Sequence, residues 1–152
     1  MGEELVHTLK YGGYLWIAEK VMTPLMAGVL SGYPGRTKFD AVVPAPLHRS
    51  RLAKRGVNQA EVMVRGMARR INAPVLDKLK VVRRTRDQVK LSAGERREDV
   101  TGALASRGPI AGRILLGDDV VTTGATLSEC AGVLRRAGAS EIRALTLCRT
   151  VW

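Results

Sequence analysis

In the stretch ILLGDDVVTTGATLSE, residues 114–129, two adjacent carboxylates, Asp118 and Asp119, end an apolar run and are followed at once by a turn of small and hydroxyl residues. Thr126 and Glu129 have the spacing of a capping box, which predicts a helix start at Thr126, with Leu127, Cys130, Ala131 and Leu134 toward the core. Thr122, Thr123, Gly124, Ala125 and Thr126 then lie over a helix N-terminus. Backbone N–H groups there, the positive end of the helix dipole, the close approach that Gly124 permits and the threonine hydroxyls together suit a phosphate. Asp118 and Asp119 would repel that phosphate; they suit neighbouring hydroxyls or a Mg2+ ion instead. A helix cap accounts for Thr126 on stability alone, but not for two successive carboxylates at a strand end. A phosphate, a diol and a metal together describe a phosphorylated ribose.

Several elements must position this group. Before it, Arg113–Leu116 reads as a buried strand; after it comes a helix from Leu127 to Ala137 stopped by Gly138, and a final strand, Ile142–Leu147. Earlier, Phe39–Leu47 reads as a short buried strand ending at Pro44, because two prolines separated by Ala45 cannot continue a central strand. A loop with His48, Arg49, Arg51, Lys54 and Arg55 follows it. Asn58 and Glu61 stand at capping-box spacing, and Ala60, Val64, Met67 and Ile71 mark the buried stripe of a helix ending near Ala73-Pro74. Strands that are apolar throughout, alternating with helices, predict an α/β fold: a parallel sheet with helices on both faces. Upstream, Leu15–Leu30 has helical spacing, broken or kinked by Pro24. Tyr11, Tyr14 and Trp16 read as packing residues there.

The middle of the chain differs. Val81–Val100, VVRRTRDQVKLSAGERREDV, is dense in charge and poor in periodicity, and is predicted to be a mobile loop. Lys80–Val82 and Gly102–Leu104 would pair as the stalk of a hairpin beneath it.

Composition bounds the rest. The 152 residues, 45% hydrophobic and 26% charged, predict one globular domain over residues 1–152. No apolar run is long enough for a membrane span and the start lacks a signal-peptide core, so the expected location is the cytoplasm. Cys130 and Cys148 have neither metal-ligand spacing nor disulfide density and read as buried thiols. The formal net charge of +11 predicts attraction to polyanions, either nucleic acid or a small phosphorylated compound. Only 4% of residues are aromatic, which favours the small polyphosphate over base stacking, with weak nucleic-acid binding beside it.

The segment DDVVTTGAT resembles the hallmark of the type I phosphoribosyltransferases: an apolar strand, two acidic residues and a Thr-Thr-Gly-x-Thr turn. More narrowly, HTLKYGG, VVPAPLHRSRLAKRGVNQAE, LSAGERREDV and DDVVTTGATLSEC, in that order, are similar to the ComF (ComFC, GntX-like) family of competence-associated phosphoribosyltransferase-like proteins. The similarity runs over nearly the whole chain. It implies phosphoribosyl pyrophosphate and Mg2+ as ligands, with Asp118 and Asp119 on the ribose hydroxyls and metal, and Thr122–Thr126 on the 5-phosphate. It further implies a pyrophosphate loop of Ala45, Pro46, Leu47, His48 and Arg49, and a flexible flap over Arg83–Val100 in which Arg84, Lys90 and Arg97 are the candidate ligand contacts. His48 reads equally as a solvated loop side chain, and for the flap residues Lys90, Arg96 and Arg97 a solvated loop is favoured over a catalytic role. The implied activity is phosphoribosyl transfer to an unidentified acceptor, such as a nucleobase; a non-catalytic ligand or nucleic-acid binding module in competence is the alternative. A homo-oligomer or a competence-machinery partner stays open. Gly117, Val57 and Asp99 depart from the family pattern of a branched apolar residue, Phe and Asn. The family's cysteine-rich N-terminal zinc module has no counterpart in this sequence.

Overall fold

The computed structural model describes residue 20 and residues 23–32, 38–47, 52–53, 56–85 and 92–149. Its centre is a parallel sheet. Strand β1 (Ala41–Pro44) pairs with β4 (Arg113–Val121), and β4 pairs with β5 (Glu141–Arg149). Beyond the other edge of β1, Val42 donates to the Pro74 carbonyl and accepts from Leu76, at 2.8 and 2.9 Å, which adds one more parallel rung at Val75.

Strand side chains alternate between two cores, as a sheet covered on both faces requires. Ala41, Val43, Ile114 and Leu116 pack with Cys130, Val133 and Leu134 of one helix, here α4 (Ala125–Arg136). Val42 and Leu115 point the other way, onto Met63, Val64 and Met67 of α2 (Gln59–Ile71). A further helix, α1 (Thr23–Gly32), leans on α2, where Gly66 leaves room for the buried Thr23 side chain. Of the predicted helix over Leu15–Leu30, the part from Thr23 on is described as helix, with Pro24 in its first turn; Tyr11, Tyr14 and Trp16 lie outside the described residues. No helix among the described residues is long and apolar enough to cross a membrane.

The two cores explain Gly117. A Cβ at this buried position would overlap Cγ2 of Val64, so the glycine lets α2 sit directly on β4 beside the acidic pair.

Between α2 and β4 the chain forms an arm. Strands β2 (Leu79–Val81) and β3 (Leu104–Ser106) pair antiparallel, Leu79 opposite Ser106 and Val81 opposite Leu104, two residues further along than the predicted stalk on its second side. The prediction of one mobile loop over Val81–Val100 is corrected: Ala93–Val100 is a helix, α3. Ser92 accepts from Glu95 N while the Glu95 carboxylate accepts from Ser92 N at 2.8 Å, a complete capping box. At the other end Arg83 donates to the carbonyls of Asp99 and Thr101, at 2.7 and 3.0 Å, where the last-turn oxygens lack helical partners. Two good ends bound a segment of helix-forming residues that lacks an apolar stripe.

Candidate functional site

Parallel strands β1 and β4 are neighbours, but the helices that follow them cover opposite faces: α2 one side and α4 the other. The chain leaves the two strand ends in opposite directions, and a crevice opens at their carboxyl edge. In open α/β sheets this switch point is where ligands bind. Here it is a cleft of about 190 Å³.

From the β1 side the cleft is lined by Ala45, Pro46 and Leu47, and from the β4 side by Asp118, Asp119, Thr122, Gly124, Ala125 and Thr126. Residues 73 positions apart in sequence are thus brought together by one strand pairing, with Pro44 opposite Gly117 and Ala45 N donating to the Gly117 carbonyl at 2.8 Å. Thr123 is exposed and does not line the cleft. His48, Arg49 and Lys90 lie outside the described residues. Arg84 and Arg97 are exposed and away from the cleft lining. From the arm, the wall consists of Val81, Thr85, Val100 and Leu104 instead.

The acidic pair lies inside β4, which runs to Val121 and not only to Leu116; its register passes from Asp118 opposite Thr146 to Val120 opposite Cys148. Each carboxylate accepts from the next residue's amide, Asp118 Oδ1 from Asp119 N at 2.9 Å and Asp119 Oδ1 from Val120 N at 2.8 Å. One oxygen of each is so held in place, and both side chains stand half-buried at the cleft. Among the described residues no three His, Cys, Asp or Glu side chains converge as a metal cage. Two carboxylates beside an uncapped helix start nevertheless suit Mg2+, which keeps waters and takes one or two carboxylates together with substrate phosphates.

Helix α4 begins two residues earlier than predicted, at Ala125 and not Leu127. Its cap is Gly124, at φ 77° and ψ 2°, with no side-chain bond at the cap; the Ser128 amide donates to the Gly124 carbonyl at 2.8 Å. The left-handed conformation is one glycine adopts without strain. The predicted Thr126–Glu129 capping box is absent because Glu129 is drawn elsewhere: its carboxylate accepts from Gly102 N at 3.1 Å and ties the arm to α4. The first turn of α4 carries no acidic residue, and its start remains open for an anion. Thr123 Oγ1 accepts from Ala125 N at 3.4 Å.

Below the turn, Cys130 is fully buried. Desolvation raises its thiol pKa far above the usual range, and the nearby charges of Asp118 and Glu129 raise it further. It is a core residue, not a nucleophile.

Asn58 and Gln59 also line the cleft and went unassigned in sequence, where Asn58 reads only as a helix cap. It is indeed the cap residue of α2, but its side chain makes no cap bond; Nδ2 donates to the Ala45 carbonyl at 3.0 Å. Glu61, the expected partner in that capping box, pairs with Arg65 at 2.7 Å. The closeness of the asparagine to a strand-end loop, with Gln59 only 5% exposed beside it, is tertiary information.

Residues 52–150 match the phosphoribosyl transferase domain. Competence protein F of Haemophilus influenzae is 36% identical over 116 residues, covering 72% of this chain and 50% of the relative. DNA utilization protein YhgH of Escherichia coli K12 is 32% identical over 151 residues, covering 97% of this chain and 66% of the relative. The chain thus spans half to two-thirds of the length of these relatives. Among solved structures, purine phosphoribosyltransferase from Pyrococcus horikoshii superposes with a TM-score of 0.55 at 18% identity, covering 90% of this chain and 76% of that one, a likeness of fold. The match over most of the chain, from the basic loop through the last strand, and the competence relatives agree with the parallel sheet and its switch-point cleft: the chain belongs to the phosphoribosyl transferase domain family and, within it, to the ComF group.

Proposed function

We propose that the protein binds phosphoribosyl pyrophosphate with Mg2+ and transfers its phosphoribosyl group to an acceptor not yet identified. One observation carries this reading: the acidic pair, the open start of α4 and the loop after β1 share a single cleft at the switch point of the sheet. In this reading the turn Thr122–Thr126 takes the 5-phosphate on first-turn amides, with Gly124 allowing close backbone approach. Asp118 and Asp119, each held by a neighbouring amide, accept from the ribose hydroxyls. Ala45–Arg49 receives the pyrophosphate. Asp118 and Asp119 would help to hold a Mg2+ ion, whose charge would offset that of the leaving group.

Cleavage at the anomeric carbon builds positive charge on the ribose ring, which carboxylates bound to the ribose hydroxyls would stabilise. The work of the chain is then positioning, electrostatic stabilisation and exclusion of water, with no covalent nucleophile. Burial of Cys130 accords with that. The test is to incubate the protein with phosphoribosyl pyrophosphate, Mg2+ and a panel of nucleobases and to measure pyrophosphate release, alongside calorimetry of the sugar ligand alone. Turnover with any acceptor supports transfer. Absence of binding refutes the site.

A second reading, a non-catalytic module that binds nucleic acid, is favoured by the net charge of +11 and by relatives named for competence and DNA utilization. Counterion release makes incidental DNA binding fall steeply with salt. DNA binding that persists near physiological salt and is lost in Gly124→Val would favour this reading over transfer.

A further inference from the structure

Asn58 has the extended backbone of a helix cap, φ −95° and ψ 108°, and is among the residue types best suited to that position. Yet its side chain leaves the helix uncapped and reaches thirteen residues back, where Nδ2 donates to the Ala45 carbonyl at 3.0 Å. Ala45 is also held from its other side, its N–H donating to the Gly117 carbonyl at 2.8 Å. The next residue, Pro46, has no N–H to offer. The first residue beyond β1 is thus clamped twice, by β4 through its amide and by α2 through its oxygen, at the point where it begins to line the cleft.

An unengaged carbonyl at this edge would turn a partial negative charge toward an approaching anion. A donor on that oxygen offsets the charge and fixes the course of Ala45–Leu47. We propose that Asn58 is a positioning residue for the pyrophosphate end of the ligand, its amide diverted from capping α2 to holding the Ala45 carbonyl. The proposal rests on the assignment of Ala45–Arg49 as the pyrophosphate loop. It assigns to Asn58 a preference for one part of the ligand, which a purely structural role would not produce.

Asn58→Ser separates the two roles. Serine caps helices as well as asparagine does, so α2 keeps its start, but its hydroxyl is one bond short of the reach to Ala45. Amide hydrogen exchange of the free protein should quicken at Ala45 and Leu47, with the thermal midpoint kept. Affinity for phosphoribosyl pyrophosphate and for inorganic pyrophosphate, each with Mg2+, should fall about three- to tenfold, the effect of one hydrogen bond. Affinity for ribose 5-phosphate should not change. Equal loss for all three ligands, or no loss for any, would overturn the proposal. If the wild-type protein binds none of the three, the functional reading itself fails; the exchange experiment then stands alone, and unchanged exchange at Ala45 overturns the clamp.

Discussion

Gly117 and Val64 meet where α2 rests on β4, and their contact makes a quantitative prediction. A Cβ at position 117 would overlap Cγ2 of Val64, which is fully buried among Val42, Met63 and Leu115. A β-branched side chain in a helix has one strongly preferred χ1 well, so Val64 evades the overlap only by leaving that well or by moving the helix. Gly117→Ala should therefore destabilise the fold by roughly 1–3 kcal/mol, the range for overpacking a core. Val64→Ala removes the opposing methyl groups and should cost about 2 kcal/mol, from two groups at about 0.8 kcal/mol each and a cavity term. In the double variant no overlap is left, and its stability should match Val64→Ala alone. The cycle then gives a favourable coupling of about 1–3 kcal/mol, well above the few tenths expected of independent sites. Urea unfolding followed by circular dichroism, with equal slopes for the four proteins, measures each corner. Additive effects would refute the packing argument, as would a neutral Gly117→Ala. Because Asp118 follows directly, Gly117→Ala should also weaken ligand binding, and Val64→Ala should restore it.

Asp119→Asn should weaken Mg2+-dependent binding of phosphoribosyl pyrophosphate by about 1–3 kcal/mol, the scale of a lost charged hydrogen bond, with an unchanged unfolding midpoint; equal affinity by calorimetry would remove Asp119 from the site. Ser92→Ala breaks the capping box of α3 and should lower local stability by about 1 kcal/mol, which raises tryptic cutting at Arg96 and Arg97 roughly fivefold; cutting at the wild-type rate would mean that α3 does not depend on its cap. Burial keeps Cys130 protonated in the folded state at pH values where the unfolded chain ionises, so its contribution to stability is full below the ordinary thiol pKa of 9.0 and is lost as pH rises above it. In a Cys148→Ser background a thiol reagent at pH 8 should label Cys130 only as the protein unfolds, and fast labelling of the native state would refute its burial.

The competing partners of the same motif show where sequence reasoning ends. Asn58 with Glu61, Ser92 with Glu95, and Thr126 with Glu129 all stand at capping-box spacing. Among the described residues Ser92 and Glu95 form the box, both its hydrogen bonds being present. Asn58 and Glu129 stand beside segments distant in sequence, and long-range partners, the Ala45 carbonyl and the Gly102 amide, outcompete the local ones. A local motif is decided by local energies only where the fold brings no better partner. The same limit hid α3, whose sequence AGERREDV has too few apolar residues to show a helical stripe, and which buries Arg96, Asp99 and Val100 instead.

What the sequence by itself determined is what depends on neighbours along the chain: the apolar strands and their order, the stop at Pro44, the acidic pair before a glycine turn and the helix after it. Strand and helix patterning is a short-range signal, since burial on each face repeats every two or every three to four residues. The tertiary structure decided which of these pieces share a cleft. Pairing of β1 with β4 set Ala45–Leu47 against Asp118 and Asp119, and the arm supplied Val81, Thr85, Val100 and Leu104 in place of its charged residues. It also turned Asn58 away from its own helix. Those outcomes rest on packing two helices against opposite faces of one sheet, a condition that no stretch of neighbouring residues contains.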